Sequence, residues 1–223
     1  MKNSLLAAFL FTSILSLSFM PAKKIKVIFF GDSITQSGVE PHGYITIADS
    51  MLRSKGSTDY ELVGAGISGN KVYDLYLRLE DDVISKSPDI VVIWIGVNDV
   101  WHKKMGTGTD ADKFEKFYRA IIKKLKAVNA KIVVCTPASI GEINDNSNEQ
   151  DGDLNKYSKI IRQIASDEEL TLVDLRKDFM EFEKSDNTAN LDRGILTADG
   201  VHLNDKGNAF VANLMVAGIL KTR

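Results

Sequence analysis

The sequence predicts an α/β protein, a three-layer α/β/α sandwich in which helices cover both faces of a five-stranded parallel sheet. Short runs rich in Val, Ile and Leu alternate along the chain with longer amphipathic stretches. The runs are apolar at nearly every position, as expected for parallel strands that are covered on both faces. A chain of 223 residues suits one core, and no repeat or linker divides it. Helices that alternate with strands in this way connect parallel strands, which is the basis of the fold prediction.

The predicted elements follow one another along the chain. The apolar runs predict strands at residues 25–30, 60–63, 90–95, 131–135 and 170–173. The amphipathic stretches predict helices at 43–54, 71–86, 110–128, 151–168 and 207–220. The stretch 142–153 is rich in Asn, Asp and Glu, and we expect a polar surface loop there. In open parallel sheets, ligands bind beyond the carboxyl ends of the strands, so the residues that follow each run are the candidates for a site.

Composition and charge exclude several classes of function. The 28 basic and 30 acidic residues give a net charge of −2 without a basic cluster, so nothing predicts nucleic-acid binding. Cys135 is the single cysteine, which makes an intramolecular disulfide impossible. It lies in an apolar run, where a cysteine is expected to act as a small hydrophobic side chain. No His, Cys and carboxylate cluster predicts a metal site, and we expect no cofactor.

The N-terminus has the pattern of a secretory signal peptide. Lys2 precedes a mainly apolar stretch, residues 5–19, which is too short for a comfortable membrane span. The small side chain of Ser18 suits cleavage directly after it, and no stable membrane span would then remain. We therefore expect residues 1–18 to be a signal peptide, residues 19–223 to form a single domain, and the protein to be exported to the periplasm or the extracellular space. An uncleaved anchor or an unusual cytosolic N-terminus is the alternative.

The first candidate motif, Gly31-Asp32-Ser33, follows the strand predicted at 25–30. Gly31 permits a sharp turn, after which Ser33 lies near the start of the next segment, beside unpaired backbone N–H groups. Such groups favour negative charge that develops on a reacting atom. The alternative is that Asp32 or Ser33 merely caps a helix.

The second motif is the glycine-rich stretch 64–70, which follows the second predicted strand. It matches the Gly-x-Gly-x-x-Gly pattern of dinucleotide sites, but that pattern normally follows the first strand. The acidic residue at the expected spacing, Asp89, begins a strand here instead of ending one, which disfavours a nucleotide site. A turn that presents backbone N–H groups to a reacting oxygen, Gly69 among them, is the preferred interpretation, and a plain tight turn is the alternative.

The third motif, Gly96-Val97-Asn98-Asp99, closes the strand predicted at 90–95. From a rigid strand end, the side-chain NH₂ of Asn98 could donate to an oxyanion. Asn-Asp after a strand is also ordinary turn chemistry, which leaves a purely structural role open.

The fourth motif, Asp199-Gly200-Val201-His202, precedes the last predicted helix. A carboxylate three residues before a histidine can reach its Nδ1 across a turn, which fixes the tautomer and stabilises the imidazolium. Of the three histidines, His202 alone has a carboxylate at this spacing. His42 lies in a turn before a helix, and His102 lies in a loop beside the third motif.

Together and in this order, the four motifs resemble those of the SGNH, or GDSL, hydrolase family. The resemblance extends from the first strand to the last helix, and it implies a flavodoxin-like SGNH hydrolase fold with the site above the sheet. One position departs from the family's name-giving block, which here reads Gly-Asp-Ser-Ile instead of Gly-Asp-Ser-Leu.

The resemblance implies a serine esterase mechanism that requires no metal or cofactor. Ser33 is expected to be the nucleophile, His202 the base and Asp199 the residue that orients the base. The backbone N–H groups of Ser33 and Gly69 and the side chain of Asn98 are expected to form the oxyanion hole. Asp32 is expected to support the site without reacting.

The expected partner is a small-molecule ester, an acylated sugar or lipid. No lid-like insertion is present, so we expect an open cleft and short acyl esters such as acetyl groups on carbohydrates. Lysophospholipid and acyl-thioester hydrolysis are alternatives within the family. A catalytically inactive carbohydrate- or lipid-binding protein is the alternative outside it. Possible rim residues, which follow or flank the motifs, are Tyr44, Asn70, Trp101 and His102.

Overall fold

The computed structural model describes residues 23–145 and 147–222, and its centre is a five-stranded parallel sheet. The strand order is β2-β1-β3-β4-β5, and every neighbouring pair is parallel. This is the order of flavodoxin-like doubly wound folds, so the predicted fold class is confirmed. The predicted signal peptide, residues 1–18, lies outside the described residues. The strands are β1 (Ile25–Gly31), β2 (Tyr60–Gly66), β3 (Ile90–Trp94), β4 (Lys131–Cys135) and β5 (Thr171–Val173).

The five predicted helices are present with shifted ends, and three further α-helices occur in the described part of the chain. The helices are α1 (Ser33–Ser37), α2 (Tyr44–Ser54), α3 (Val72–Asp82), α4 (Val97–Trp101), α5 (Ala111–Ala127), α6 (Asp151–Asp167), α7 (Leu175–Asp186) and α8 (Asp205–Lys221). Of the unpredicted ones, α1 and α4 are single turns, too short to carry a helical period. Helix α7 carries many charged residues and is capped by Asp174, whose side chain accepts a hydrogen bond from Lys177 N. None of the helices in the described ranges is long and apolar enough to cross a bilayer.

The helices cover both faces of the sheet. The chain passes from β1 through α2 to β2 on one side, then from β2 through α3 to β3 in the opposite direction. Because parallel crossovers are right-handed, α2 and α3 lie on opposite faces. Helix α8 packs against α2 and α5 packs against α3, which completes the two outer layers.

The central strands are buried on both faces, which explains their continuous apolar runs. Val27, Ile28, Phe29 and Phe30 of β1 are at most 1% exposed. The whole of β3 is also buried. Burial of each large apolar side chain stabilises the fold by about 1.5–3 kcal/mol, so this sheet is a rigid base for the loops at its ends.

The stretch predicted as a polar surface loop, 142–153, is only partly one. Asn144 and Asp145 are exposed, but Glu142 is fully buried. Helix α6 already begins at Asp151. The prediction was therefore wrong for Glu142, whose carboxylate accepts three backbone N–H bonds from a distant loop instead of contacting solvent.

Candidate active site

The candidate site lies at the carboxyl edge of the sheet, where the four motifs converge. Ser33 begins α1 directly after β1, and Asn98 lies in α4 just beyond β3. The glycine-rich turn follows β2, and His202 reaches the same edge from the turn before α8. Parallel strands bring all their carboxyl ends to one edge, so motifs that are far apart in sequence become neighbours.

Ser33, His202 and Asp199 form one hydrogen-bonded chain. The distance from Ser33 Oγ to His202 Nε2 is 2.9 Å, and that from His202 Nδ1 to Asp199 Oδ2 is 2.7 Å. Because the carboxylate can only accept, Nδ1 carries the proton and donates it. In the neutral imidazole, Nε2 is then the acceptor for the Ser33 hydroxyl.

The turn that carries Asp199 and His202 is fixed by its own backbone. Asp199 Oδ1 accepts hydrogen bonds from the N–H groups of Val201 and His202, at 3.0 and 2.8 Å. Burial alone would raise the pKa of Asp199, but these bonds and the imidazole hold it below its usual value. The side chains of His202 and Asp199 are 38% and 48% exposed, so the chain of hydrogen bonds is open to solvent.

Ser33 is held at the top of β1 by two local features. A Cβ at Gly31 would lie 2.3 Å from Thr35 Oγ1 and 2.5 Å from Trp94 O, so the chain can turn this closely only at a glycine. Asp32 caps α1, since its Oδ1 accepts a hydrogen bond from Ile34 N at 3.0 Å. The capping alternative therefore holds for Asp32, and it leaves the Ser33 hydroxyl free to bond His202.

The glycine-rich turn and Asn98 are joined beside Ser33. Asn98 is buried, and its Nδ2 donates to Asn70 O at 3.1 Å. Gly69 has a φ of +77°, a backbone conformation that favours glycine. Within the described residues, neither Ser33 N nor Gly69 N donates to another protein atom. The backbone N–H groups of Ser33 and Gly69 and the side-chain amide of Asn98 thus lie in segments that contact one another.

Two buried carboxyl groups lie beneath these segments. Asp99 is fully buried and accepts from Val72 N at 3.2 and 3.3 Å, which ties α4 to the start of α3. Burial raises the pKa of Asp99 to about 6. It raises the pKa of Asp32 to about 7, to which the nearby Asp99 contributes. Neither group contacts Ser33 Oγ or His202 through a hydrogen bond in the described structure.

One of the possible rim residues is not at the rim. Tyr44 is fully buried, and its ring packs edge-on against Phe29 and Trp94. Its hydroxyl bonds Thr35 Oγ1 at 3.1 Å, so the prediction that it lines the rim was wrong. It follows a motif in sequence, but its helix turns the ring inward.

The other possible rim residues are partly exposed. Trp101 and His102 lie beside one another at the end of α4, with ring centroids 5.8 Å apart. Burial and the charge of Lys71 lower the pKa of His102, so its neutral form is favoured. Asn70 is held on both sides, since its Oδ1 accepts from Arg78 Nε and its carbonyl accepts from Asn98.

Sequence analysis missed two cations that brace this edge. Arg78 donates to Gly31 O at 2.7 Å and to Ala65 O at 3.0 Å, so it joins the ends of β1 and β2. Lys71 is buried, and its Nζ donates to Gly69 O at 3.0 Å. Lys71 directly follows the glycine-rich turn, and this position in the sequence could have identified it as part of the site. Arg78 lies in a helix, where its pairing with Asp82 at i+4 looks like ordinary surface charge.

Among the described residues, no three His, Cys, Asp or Glu side chains are grouped so as to hold a metal ion. A cavity of about 550 Å³ lies at the opposite, amino edge of the sheet, between residues such as Ile25, Ile90 and Val128. It contains none of the motif residues. The chemistry is therefore concentrated in the open turn region at the carboxyl edge.

Comparison with known proteins identifies relatives along almost the whole chain. The acetylxylan esterase of Geobacillus stearothermophilus is 30% identical over 214 residues, which cover 87% of this chain and 93% of that protein. An uncharacterized lipoprotein of Bacillus subtilis (strain 168), YqeF, is 25% identical and covers 83% of this chain and 85% of its own length.

Solved structures and family models agree with this relationship. The crystal structure of the acetyl xylan esterase AlAXEase is 64% identical, with a TM-score of 0.86, and covers 87% of this chain and 100% of its own. The model of the GDSL-like lipase/acylhydrolase family matches residues 29–210, which contain all four motifs. The chain therefore belongs to the GDSL-like lipase/acylhydrolase family, and it is a serine esterase, a hydrolase of carboxylic esters.

Proposed function

We propose that this protein removes acetyl groups from carbohydrates, xylan in particular, through an acyl-enzyme on Ser33. The observation that carries the proposal is the hydrogen-bonded chain from Ser33 Oγ through His202 to Asp199, with distances of 2.9 and 2.7 Å. Two relatives, at 64% and 30% identity, are named for acetylxylan esterase activity, which supports the acetyl and xylan parts of the proposal.

In the first step, Ser33 Oγ attacks the acetyl carbonyl carbon while His202 Nε2 takes the hydroxyl proton. Asp199 stabilises the resulting imidazolium through its bond to Nδ1. When the tetrahedral intermediate collapses, the bond to the sugar oxygen breaks and His202 returns the proton to that oxygen. The deacetylated sugar leaves, and the acetyl group stays on Ser33.

The tetrahedral oxyanion is stabilised by three donors. These are the N–H groups of Ser33 and Gly69, which donate to no other protein atom in the described residues, and the side chain of Asn98. The side-chain NH₂ of Asn98 has two N–H groups. One donates to Asn70 O, so the second is available to donate to the oxyanion. Loss of one such donor typically lowers kcat by about 10²–10³, or about 3–4 kcal/mol.

In the second step, a water molecule attacks the acetyl-enzyme while His202 takes its proton. Collapse of the second intermediate breaks the bond to Ser33, which regains its proton from His202, and the product leaves as acetic acid, which ionises to acetate in water. Protons, leaving groups and charges balance in both steps with these side chains and water.

An open site suits an acetyl group on a bulky carbohydrate. His202 and Asp199 are 38% and 48% exposed, so a polymer can approach without entering a tunnel. Partly exposed Trp101 and His102 are proposed to contact the sugar, with Asn70 beside them. Lysophospholipid or acyl-thioester hydrolysis and a purely binding role are not favoured, because two relatives that cover most of this chain are named as acetylxylan esterases.

We also propose that residues 1–18 are a signal peptide and that residues 19–223 are a single exported domain. The sequence pattern supports this, and a Bacillus subtilis relative is named as a lipoprotein. N-terminal sequencing of the protein recovered from outside the cytoplasm is expected to start at Phe19. A protein that retains Met1 and stays in the cytoplasm would contradict the proposal.

Ser33→Ala and His202→Ala are each expected to lower kcat for 4-nitrophenyl acetate by more than about 10³-fold, because each removes a reacting group. The matched control is His42→Ala, since His42 is exposed in the turn before α2. Circular dichroism checks that all three variants are folded. A folded Ser33 or His202 variant with the wild-type rate would contradict the assignment of the nucleophile and base.

Asn98→Ala is expected to lower kcat by about 10²–10³ and to change KM little, because its hydrogen bond strengthens as charge develops on the oxygen. Asn98→Asp is expected to be at least as damaging, since a carboxylate offers no donor and repels that charge. Asn213→Ala, on the exposed side of α8, is the control. If both Asn98 variants keep their kcat and lose only thermal stability, Asn98 is a turn residue.

The acyl preference is expected to favour acetyl over longer chains, because nothing in the sequence resembles a lid or a long apolar insertion. The measurement is kcat/KM for 4-nitrophenyl esters from acetyl to decanoyl, together with acetate release from acetylated xylan. A long apolar groove would add up to about 0.8 kcal/mol for each buried methylene. A maximum at eight carbons or longer, or faster hydrolysis of a lysophospholipid or acyl thioester than of acetylated xylan, would overturn the proposed substrate.

A further inference from the structure

We infer that Glu142 is a positioning residue for catalysis, which holds the loop that carries Asp199 and His202 against the segment that follows β4. The loop, residues 191–204, is called the histidine loop below. The inference rests on the proposed function, since it concerns the placement of the proposed base. Glu142 lies 53–55 residues before its three partners in this loop and, in the described structure, hydrogen-bonds neither Asp199 nor His202.

The carboxylate of Glu142 accepts hydrogen bonds from three consecutive backbone N–H groups of the histidine loop. Oε2 accepts from Ile195 N at 2.8 Å, and Oε1 accepts from Leu196 N and Thr197 N, both at 2.7 Å. Glu142 is fully buried, so water does not compete for these bonds. Charge-assisted bonds of this length are roughly twice as strong as neutral ones.

The backbone beside Glu142 adds further bonds to the same loop. Gly141 N donates to Gly200 O at 2.8 Å, and Glu142 N donates to Asp192 O at 2.9 Å. Gly200 lies directly between Asp199 and His202 in the sequence, so the first of these bonds reaches the catalytic turn itself. Gly141 and Glu142, in the segment that follows β4, therefore hold the histidine loop at both its start and its turn.

The bonds from Glu142 continue toward the imidazole through Thr197. Thr197 N donates to Glu142, while Thr197 Oγ1 accepts from Gly200 N at 3.0 Å. Thr197 also pairs with Leu203, which follows His202. A shift of the Glu142 contact is thus transmitted to the turn, and a misplacement of about 1 Å can lower a rate by about 10²-fold.

A carboxylate is required at position 142 because all three partners are donors. Glutamine has nearly the same shape, but its NH₂ would face at least one backbone N–H, and that bond would be lost. A buried N–H without a partner is unfavourable, so the loop is expected to shift to recover one. Glu142→Gln therefore tests the charge and the acceptor count at nearly constant volume.

Glu183 provides a matched control. It is also a buried carboxyl group, at 3% exposure, and its Oε1 accepts from Ser139 Oγ at 2.8 Å. In the described structure, its carboxylate bonds no atom of the histidine loop. Glu183→Gln thus removes a buried carboxylate from the same region without touching the base.

The experiment compares the steady-state kinetics of wild type, Glu142→Gln and Glu183→Gln on 4-nitrophenyl acetate, well below their Tm values. Glu142→Gln is expected to lower kcat by about 10–100-fold and to change KM less than about 3-fold, because the base is displaced but the surface on which the ester binds is not. Glu183→Gln is expected to keep kcat within about 3-fold of wild type even where its Tm falls.

A second readout reports the placement of His202 without catalysis. The Nδ1 proton of His202 is shared with Asp199 at 2.7 Å, which is expected to give a downfield proton NMR signal in wild type and in Glu183→Gln. In Glu142→Gln the signal is expected to shift or broaden. If this variant does not fold, Glu142→Asp takes its place. The same shift or broadening of the signal is expected, because the shorter side chain moves the carboxylate oxygens away from the three backbone N–H groups.

The inference is overturned if a folded Glu142 variant keeps both the wild-type kcat and the wild-type NMR signal, or if Glu183→Gln loses as much kcat as Glu142→Gln. Ser33→Ala, measured in the same series, separates this outcome from failure of the proposed function. If Ser33→Ala retains activity, the acyl-enzyme proposal fails, and the NMR signal alone decides the role of Glu142.

Discussion

Parallel pairing of β1 with β2 on one side and β3 on the other is the constraint on which the site depends. The register places Gly31 level with Gly66 and with Trp94, so three segments leave the sheet at the same height. Helix α1, the glycine-rich turn and α4 follow at once, which brings the predicted nucleophile and oxyanion donors together. Ser33 and His202, 169 residues apart in sequence, then meet at this edge. The buried sheet fixes the relative positions of these two residues, because its strands cannot slide past one another without exposing apolar side chains.

Buried carboxyl groups under the site are held by backbone N–H donors. Asp32 accepts from Ile34, Asp99 from Val72, and Glu142 from three residues of the histidine loop. A buried charge is unfavourable unless hydrogen bonds satisfy it, so each of these groups is stable only in one loop arrangement. The same residues that would weaken an apolar core therefore give the irregular segments around the site a definite conformation.

Sequence reasoning failed where a side chain's environment depends on distant parts of the chain. Tyr44 looked like a rim residue because it follows the first motif, yet α8 and the sheet enclose it, and Asn208 Oδ1 accepts from its backbone N–H. Glu142 looked like part of a solvated loop because its sequence neighbours are polar. Helix α7 was missed because its charged residues obscure the apolar positions Leu175 and Phe179, which only packing against the rest of the core identifies.

The sequence by itself determined the α/β class, the order of the strands along the chain and the motifs at the strand ends, from Gly31-Asp32-Ser33 to His202. These follow from local signals, since hydrophobic period and turn chemistry are encoded within a few neighbouring residues. Only the tertiary structure decided the strand order in space, the burial of Tyr44 and the contact of Glu142 with the histidine loop. That contact joins residues 53–55 positions apart, and no local pattern specifies it. The physical reason for this contact is long-range packing. Packing excludes water from the three backbone N–H groups, so the carboxylate of Glu142 is the acceptor that satisfies them.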